Sequence, residues 1–194
     1  MNSRDKWNRI YQKRTESEET SLTLPTPCPL LAQYHYLLPA KGAALDLACG
    51  FGGNAIFLQK QGLSVEAWDI SDIAIAQLRS KNIPNIACHD IDIEQHEFPS
   101  RKFDVIVVSN YLHRNICHNI SQALTPGGLL FYQTFHQQKI STSGPSNPNF
   151  LLKNNELLSL FGELNPLIHS HLGSQGNLSL GERNLASLIA QKPT

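Results

Sequence analysis

Cysteine is scarce in this sequence, and what there is forms no pattern. Cys28, Cys49, Cys88 and Cys117 are scattered, with no C-x-x-C pair. That excludes a zinc knuckle and a dithiol redox motif, implies no metal, and suits a reducing compartment. Net charge is missing too, since 16 basic residues balance 16 acidic ones. Such a chain has no global field to draw in nucleic acid or an anionic membrane, so a large polyanionic partner is disfavoured. No stretch is apolar for long enough to span a bilayer. The opening MNSRDKWNRIYQKRTESEE has neither the apolar run nor the small-residue cleavage site of a secretion signal. There is no internal repeat, and no heptad or apolar strip declares an oligomeric interface. These absences predict a cytoplasmic protein with no membrane partner.

What is present reads as an ordinary globular chain. Its 194 residues, 41% hydrophobic and 16% charged, suffice for one compact domain with a substantial core. Trp7, Ile10 and Tyr11 mark an amphipathic helix over residues 4–19. A proline-rich bend, TLPTPCP, leads to a helix over 30–38. Strands are expected at 43–48, 64–69, 85–89 and 103–108, with helices at 52–61 and 72–81. Gly62 closes the first of those helices, and Ser71 caps the second. A helix over 113–124 and a Pro126-Gly127-Gly128 turn precede a fifth strand at 129–135. Alternation at this spacing implies βαβ units and a mainly parallel sheet. The tail adds a loop-like STSGPSNPN stretch, a helix over 153–161 and two strands, 164–169 and 185–190, close enough for an antiparallel hairpin.

LDLACGFGGNA places Gly50, Gly52 and Gly53 between the first strand and the next helix. There the backbone can turn sharply and lie against a ligand, at the edge where open parallel sheets bind them. Many α/β domains use such a turn only for packing. Gly50-x-Gly52-x-x-Ala55 also fits the dinucleotide fingerprint, with Asp69 at the ribose-binding distance. Asp46, inside the strand before the turn, is unhelpful to a diphosphate but welcome to a ligand bearing sulfonium and ammonium groups. HDID at 89–92 is a further acidic turn, suited to an adenine amino group.

AALDLACGFGGNA resembles the first motif of class I S-adenosylmethionine-dependent methyltransferases. VEAWDIS resembles their second-strand acidic motif, HDID the adenine turn, FDVIVVSNYLH the fourth strand and LTPGGLLFYQTF the fifth. The five motifs run in order over residues 43–135. The resemblance implies a Rossmann-like, seven-stranded, mainly parallel sheet ending in an antiparallel hairpin, with helices on both faces. It implies one domain over 1–194: a helical cap (1–40), a cofactor-binding core (41–135), and a substrate-side loop with the edge hairpin (136–194). S-adenosylmethionine is the implied cofactor. Gly50, Gly52 and Gly53, flanked by Ala48 and Asn54, would line its methionine moiety, with Asp46 near the ammonium. Asp69 would accept from both ribose hydroxyls, Ile70 would pack on the adenine, Asp90 would take its amino group, and the Ile91 N–H would reach a ring nitrogen. Ser109 would lie beside the sulfonium.

Within that family the short length and DKWNRIYQKR resemble the tellurite-resistance, TehB-like group, in which Trp7 and Tyr11 would cover the cofactor. The group's His-Arg pair has no counterpart here, since His171 and Arg183 are differently spaced. After the fourth strand, His113 is a candidate base and Arg114 a candidate clamp for an anionic acceptor. No N-P-P-Y motif follows it, which weakens a nucleic-acid adenine methylase reading. Residues 144–148 with Phe150 are a candidate lid, and Tyr132 and His136 candidate pocket residues. The expected activity is methylation of a small-molecule acceptor, anionic or a soft nucleophile. Methylation of RNA or protein, cofactor binding without catalysis, and an NAD-dependent oxidoreductase are the alternatives.

Overall fold

The computed structural model describes residues 2–16, 24–95, 98 and 100–194. They divide into two compact units, 1–99 and 100–194.

In the first unit, helix α1 (Ser3–Glu16) precedes a short helix α2 (Pro29–Gln33), then β1 (Ala43–Leu47), α3 (Gly53–Lys60), β2 (Ser64–Asp69), α4 (Asp72–Arg79) and β3 (Ile86–Asp90). The strands run parallel in the order β3-β2-β1, with Asp46 level with Ala67, and Asp69 level with Asp90. Ala44, Leu45 and Leu47 of β1 are wholly buried, as are Ala55 and Leu58 of α3 and Ala67 of β2. Each large apolar side chain so buried contributes about 1.5–3 kcal/mol. Gly62, left-handed at φ 96°, ends α3 as expected. Ser71 caps α4 by accepting the Ala74 N–H through its hydroxyl at 3.2 Å.

In the second unit, β4 (Phe103–Ser109) lies parallel to β5 (Leu124–Phe135). Helix α5 (Cys117–Ala123) connects them. Helix α6 (Glu156–Leu160) leads to β6 (Asn165–Ser170) and β7 (Leu185–Gln191). The order is β4-β5-β7-β6, and β7 is antiparallel to both neighbours. β4, β5 and β6 therefore point the same way. The continuous apolar run of β4 has Val105, Ile106, Val107 and Val108 wholly buried, as a strand covered on both faces requires.

Some boundaries differ from expectation for local reasons. The helix expected over 30–38 breaks into α2 and a 3₁₀ turn, His35–Leu37, because Pro39 holds Leu38 extended at φ −68°, ψ 141°. The helix expected from 113 begins as a 3₁₀ turn, Arg114–Ile116, since His113 is extended. β5 starts five residues early: Gly127 donates to the Lys192 carbonyl and Lys192 to that of Gly128, carrying the β7 ladder across the glycine pair. The expected end of the first helix, residues 17–19, lies outside the described residues. Among the described residues no helix is long and apolar enough to cross a membrane.

Candidate functional site

The turn after β1 is built from left-handed residues at alternate positions: Ala48 (φ 57°), Gly50 (φ 53°) and Gly52 (φ 82°). A non-glycine residue in that region is strained, and such strain is held at turns that other contacts fix. Here Cys49 donates to the Trp68 carbonyl at 2.9 Å, and Gly52 to that of Cys49 at 2.9 Å. The three glycines differ in what forbids a side chain. A Cβ on Gly53 would strike the Thr26 carbonyl, and one on Gly52 the Leu78 side chain, so both serve packing within the chain. A Cβ on Gly50 would stand 2.7 Å from the Tyr11 hydroxyl, the end of a side chain from α1.

Two buried carboxylates organise this turn from below. Asp46 is wholly buried and accepts the Ala55 N–H at 2.9 Å and the Asn54 amide at 3.2 Å. Burial outweighs those two bonds and lifts its carboxyl to about 7, with the nearby Asp69 charge adding to the rise. Asn54 is thereby a positioning residue. Its amide oxygen also accepts the Cys28 N–H at 2.8 Å, tying the proline-rich bend to the turn.

Asp69, at the end of β2, has its carboxylate fixed on both sides. Oδ2 accepts the Gly50 N–H at 2.8 Å, and Oδ1 the Ser71 N–H at 2.8 Å. The Ile70 N–H is a third backbone donor to the carboxylate, whose four acceptor positions leave room for a further one. Burial raises its pKa while these backbone donors oppose the rise.

Helix α1 closes over the turn. Buried Tyr11 meets Phe51 edge-on at 5.0 Å between ring centroids, and half-buried Trp7 lies 6.0 Å from Tyr11. Burial, reinforced by Asp69, pushes the Tyr11 phenol far above its ordinary range. Asn8 accepts the Ser71 hydroxyl at 2.6 Å. Arg4 stands 3.7 Å from exposed Asp90. Asp46, Asp69, Asp90, the glycine turn, Trp7 and Tyr11 are thus brought together, with half-buried Ile70 between Asp69 and its Ser71 anchor.

One expected donor is corrected. The Ile91 N–H is spent on the Asp69 carbonyl at 2.9 Å, because the parallel β2–β3 ladder runs on past Asp90, and it is not free for a ring nitrogen.

In the second unit, half-buried Ser109 closes β4, and Asn110 turns left-handed (φ 55°) while donating to the Gln133 carbonyl at 2.9 Å. His113 is half-buried ahead of the 3₁₀ turn. Arg114 does not present a free guanidinium to an anionic acceptor, and that expectation is corrected. It grips Glu156 in a bidentate pair at 2.7 and 3.0 Å and donates to the carbonyls of Asn149 (2.6 Å) and Leu151 (3.0 Å). Its role is to staple the segment around Phe150. Tyr132 is likewise structural: its hydroxyl donates to the Tyr111 carbonyl at 2.9 Å, and its ring packs on Phe161. Wholly buried His136 holds the Arg183 carbonyl through Nε2 and the Gln138 N–H through Nδ1, both at 3.1 Å.

Arg4 and Asn8 contribute contacts that no motif announced. The one available signal was the amphipathic phase of α1, where Arg4, Asn8 and Tyr11 recur at helical spacing.

Residues 44–128 match a family model described as a methyltransferase domain. YqeM of Bacillus subtilis (strain 168), which carries a methyltransferase designation, is 28% identical over 121 residues, covering 57% of this chain and 49% of YqeM. The chain thus spans about half the length of that curated relative. Among solved structures, TehB from Haemophilus influenzae superposes with TM-score 0.65 at 22% identity, over 84% of this chain and 61% of TehB. The N-methyltransferase NodS from Bradyrhizobium japonicum WM9, in complex with S-adenosyl-L-homocysteine, gives 0.66 at 17% identity, over 96% and 98%. These superpositions give the fold: a seven-stranded, mainly parallel sheet with an antiparallel C-terminal hairpin, as expected.

Proposed function

We propose that this chain transfers the methyl group of S-adenosylmethionine to a small-molecule acceptor, since residues 44–128 match a methyltransferase-domain model and the fold is the class I, Rossmann-like one. The observation that carries this reading is Asp69. Its two oxygens are fixed by the Gly50 and Ser71 N–H groups, which aims the carboxylate's remaining acceptor capacity at the hydroxyls of a ribose.

The other residues take consistent roles. Asp46, under the turn, faces the cofactor's ammonium, and Ala48 and Gly50 present backbone to its methionine chain. Gly52, Gly53 and Asn54 hold the turn's shape, through Leu78, Thr26, Cys28 and Asp46. Tyr11 and Trp7 cover the ribose side, Ile70 packs on the adenine, and Asp90 accepts its amino group once Arg4 swings away from an exposed, long ion pair. Ile91 contributes its side chain and not its N–H. Ser109, which ends β4, is the proposed acceptor-side residue, and His113, ahead of the 3₁₀ turn, the base candidate. The cofactor supplies an electrophilic methyl on a sulfonium; the chain's task is to orient it and keep water away.

Four free cysteines support a reducing, cytoplasmic setting, and the balanced charge supports a small acceptor over RNA. The test is to incubate the protein with methyl-labelled S-adenosylmethionine and separate small-molecule, RNA and protein fractions of a cell extract. Label in the small-molecule fraction together with S-adenosylhomocysteine is expected. Label confined to RNA or protein would overturn the acceptor class, and no S-adenosylhomocysteine from any fraction would overturn catalysis.

A further inference from the structure

Helix α4 and strand β3, both in the first unit, border a cavity that the methyl-transfer reading leaves unused. Ile86 and Cys88 alternate onto one face of β3, level with Val65 and Ala67 of β2. Cys88 and Ala67 are small, and they leave space beside Leu78 in the last turn of α4. After α4 the chain turns through two left-handed asparagines, Asn82 (φ 49°) and Asn85 (φ 62°), and this turn brings Ile83 to the same place. The result is a cavity of about 350 Å³ lined by Leu78, Arg79, Asn82, Ile83, Ile86 and Cys88. Small-molecule sites begin at about this size.

Its lining is divided by chemistry. Leu78 is buried and Ile83, Ile86 and Cys88 are half-buried, which makes an apolar floor. Arg79 and Asn82 are exposed and form the mouth. Arg79 donates through Nη2 to the Cys88 carbonyl at 3.0 Å, which holds the guanidinium against β3. Its other N–H groups meet no partner among the described residues. No carboxylate lines the cavity. Nor does Cys88 supply a counter-ion, because burial keeps its thiol above the ordinary range in spite of Arg79. Asp90, the next residue along this face of β3, is not part of the lining and is engaged by Arg4.

We propose that this cavity is a second ligand site, which binds a small carboxylate with an apolar body. Arg79 pairs with the carboxylate at the mouth, and Leu78, Ile83 and Ile86 take the carbon skeleton. Charge complementarity selects this class. A guanidinium stays protonated and offers parallel N–H donors that match the two oxygens of a carboxylate. An ammonium would meet a like charge there. An uncharged apolar molecule would cover the guanidinium and give it no acceptor. The site stands apart from the methyl-transfer reading, since no residue assigned to the cofactor or the acceptor lines it.

The experiment is isoleucine-methyl ¹³C NMR on the full chain, titrated with octanoate and, separately, with octylammonium and acetate. Octanoate is expected to shift the methyl resonances of Ile83 and Ile86 and to leave Ile189, in β7 of the second unit, still. Octylammonium has the same tail with the opposite charge, and acetate has the charge without the tail, so neither should move them. Arg79→Gln should weaken octanoate by about tenfold, as loss of a charge-assisted hydrogen bond implies. Arg79→Glu should turn the preference toward octylammonium. Ile83→Trp, which fills the cavity and keeps its charge, should abolish the octanoate shift at Ile86. No shift at millimolar octanoate, equal shifts with octylammonium, or shifts as large at Ile189 would each overturn the proposal. So would wild-type octanoate binding by the folded Arg79→Gln variant.

Discussion

The two units finish their strands in opposite ways. In the first, polar groups at the strand ends are tied to the chain's own backbone: Asp69 to Gly50 and Ser71, Asp46 to Ala55, and Ile91 to Asp69. In the second, Arg114 and Arg183 spend their guanidinium groups on loop carbonyls, while two imidazole nitrogens are buried without partners. A fixed constellation suits a ligand that never changes, as a cofactor does. A loop-built edge suits the part of a reaction that differs from one enzyme to the next.

Breaking the first unit's constellation should have the largest effect. Asp69→Ala removes the acceptor for both ribose hydroxyls at about 1.5–3 kcal/mol each, a loss of more than about a hundredfold in S-adenosylhomocysteine affinity. Calorimetry reads it, with circular dichroism to verify folding. Asp69→Asn keeps one acceptor oxygen and should fall between. Unchanged affinity in a folded variant would remove Asp69 from the site.

Next, Arg114→Ala should act on stability alone. It deletes four hydrogen bonds and leaves a mostly buried Glu156 without its counter-ion. Discounted for the exposure of the arginine, the cost is about 2 kcal/mol. Thermal unfolding should shift down by roughly 4–8 °C, with S-adenosylhomocysteine affinity intact. A variant of normal stability that fails only with anionic acceptors would restore the substrate-clamp role.

Gly50→Ala sharpens the contrast within the turn. It meets the left-handed backbone cost of about 1–2 kcal/mol and a clash with the Tyr11 hydroxyl. Adding Tyr11→Phe should recover the clash but not the backbone cost. A thermal-melt double-mutant cycle measures this, and strict additivity would mean that Tyr11 does not press on Gly50.

The smallest effect concerns pH. Asp46 holds its proton to about 7 in the folded chain and to about 4 when unfolded. Between those values the native state binds more protons, so this group's contribution to stability falls as pH rises. Cofactor binding has the opposite sign, because an ammonium selects the carboxylate. S-adenosylhomocysteine affinity should climb between about pH 6 and 8, and Asp46→Asn should flatten the climb. A flat wild-type profile would separate Asp46 from the ligand.

Much of this was legible in the sequence because local chemistry decided it. The β2 strand and the Ser71 cap follow from alternation and a hydroxyl before a helix, and the turn from glycine beside Asp46. Arg114 was misread because its partner, Glu156, lies 42 residues away, beyond any local pattern. Sequence distance likewise hid the contact between His136 and His171, which β7 brings together. The Ile91 N–H was misassigned because motif likeness cannot tell whether a strand ladder continues one residue further.

The most direct test of the central claim is calorimetric titration of the intact chain with S-adenosylhomocysteine, with NAD in a parallel cell. Micromolar binding of the first and none of the second is the expected result. Binding of NAD with silence toward S-adenosylhomocysteine would contradict the account at its foundation.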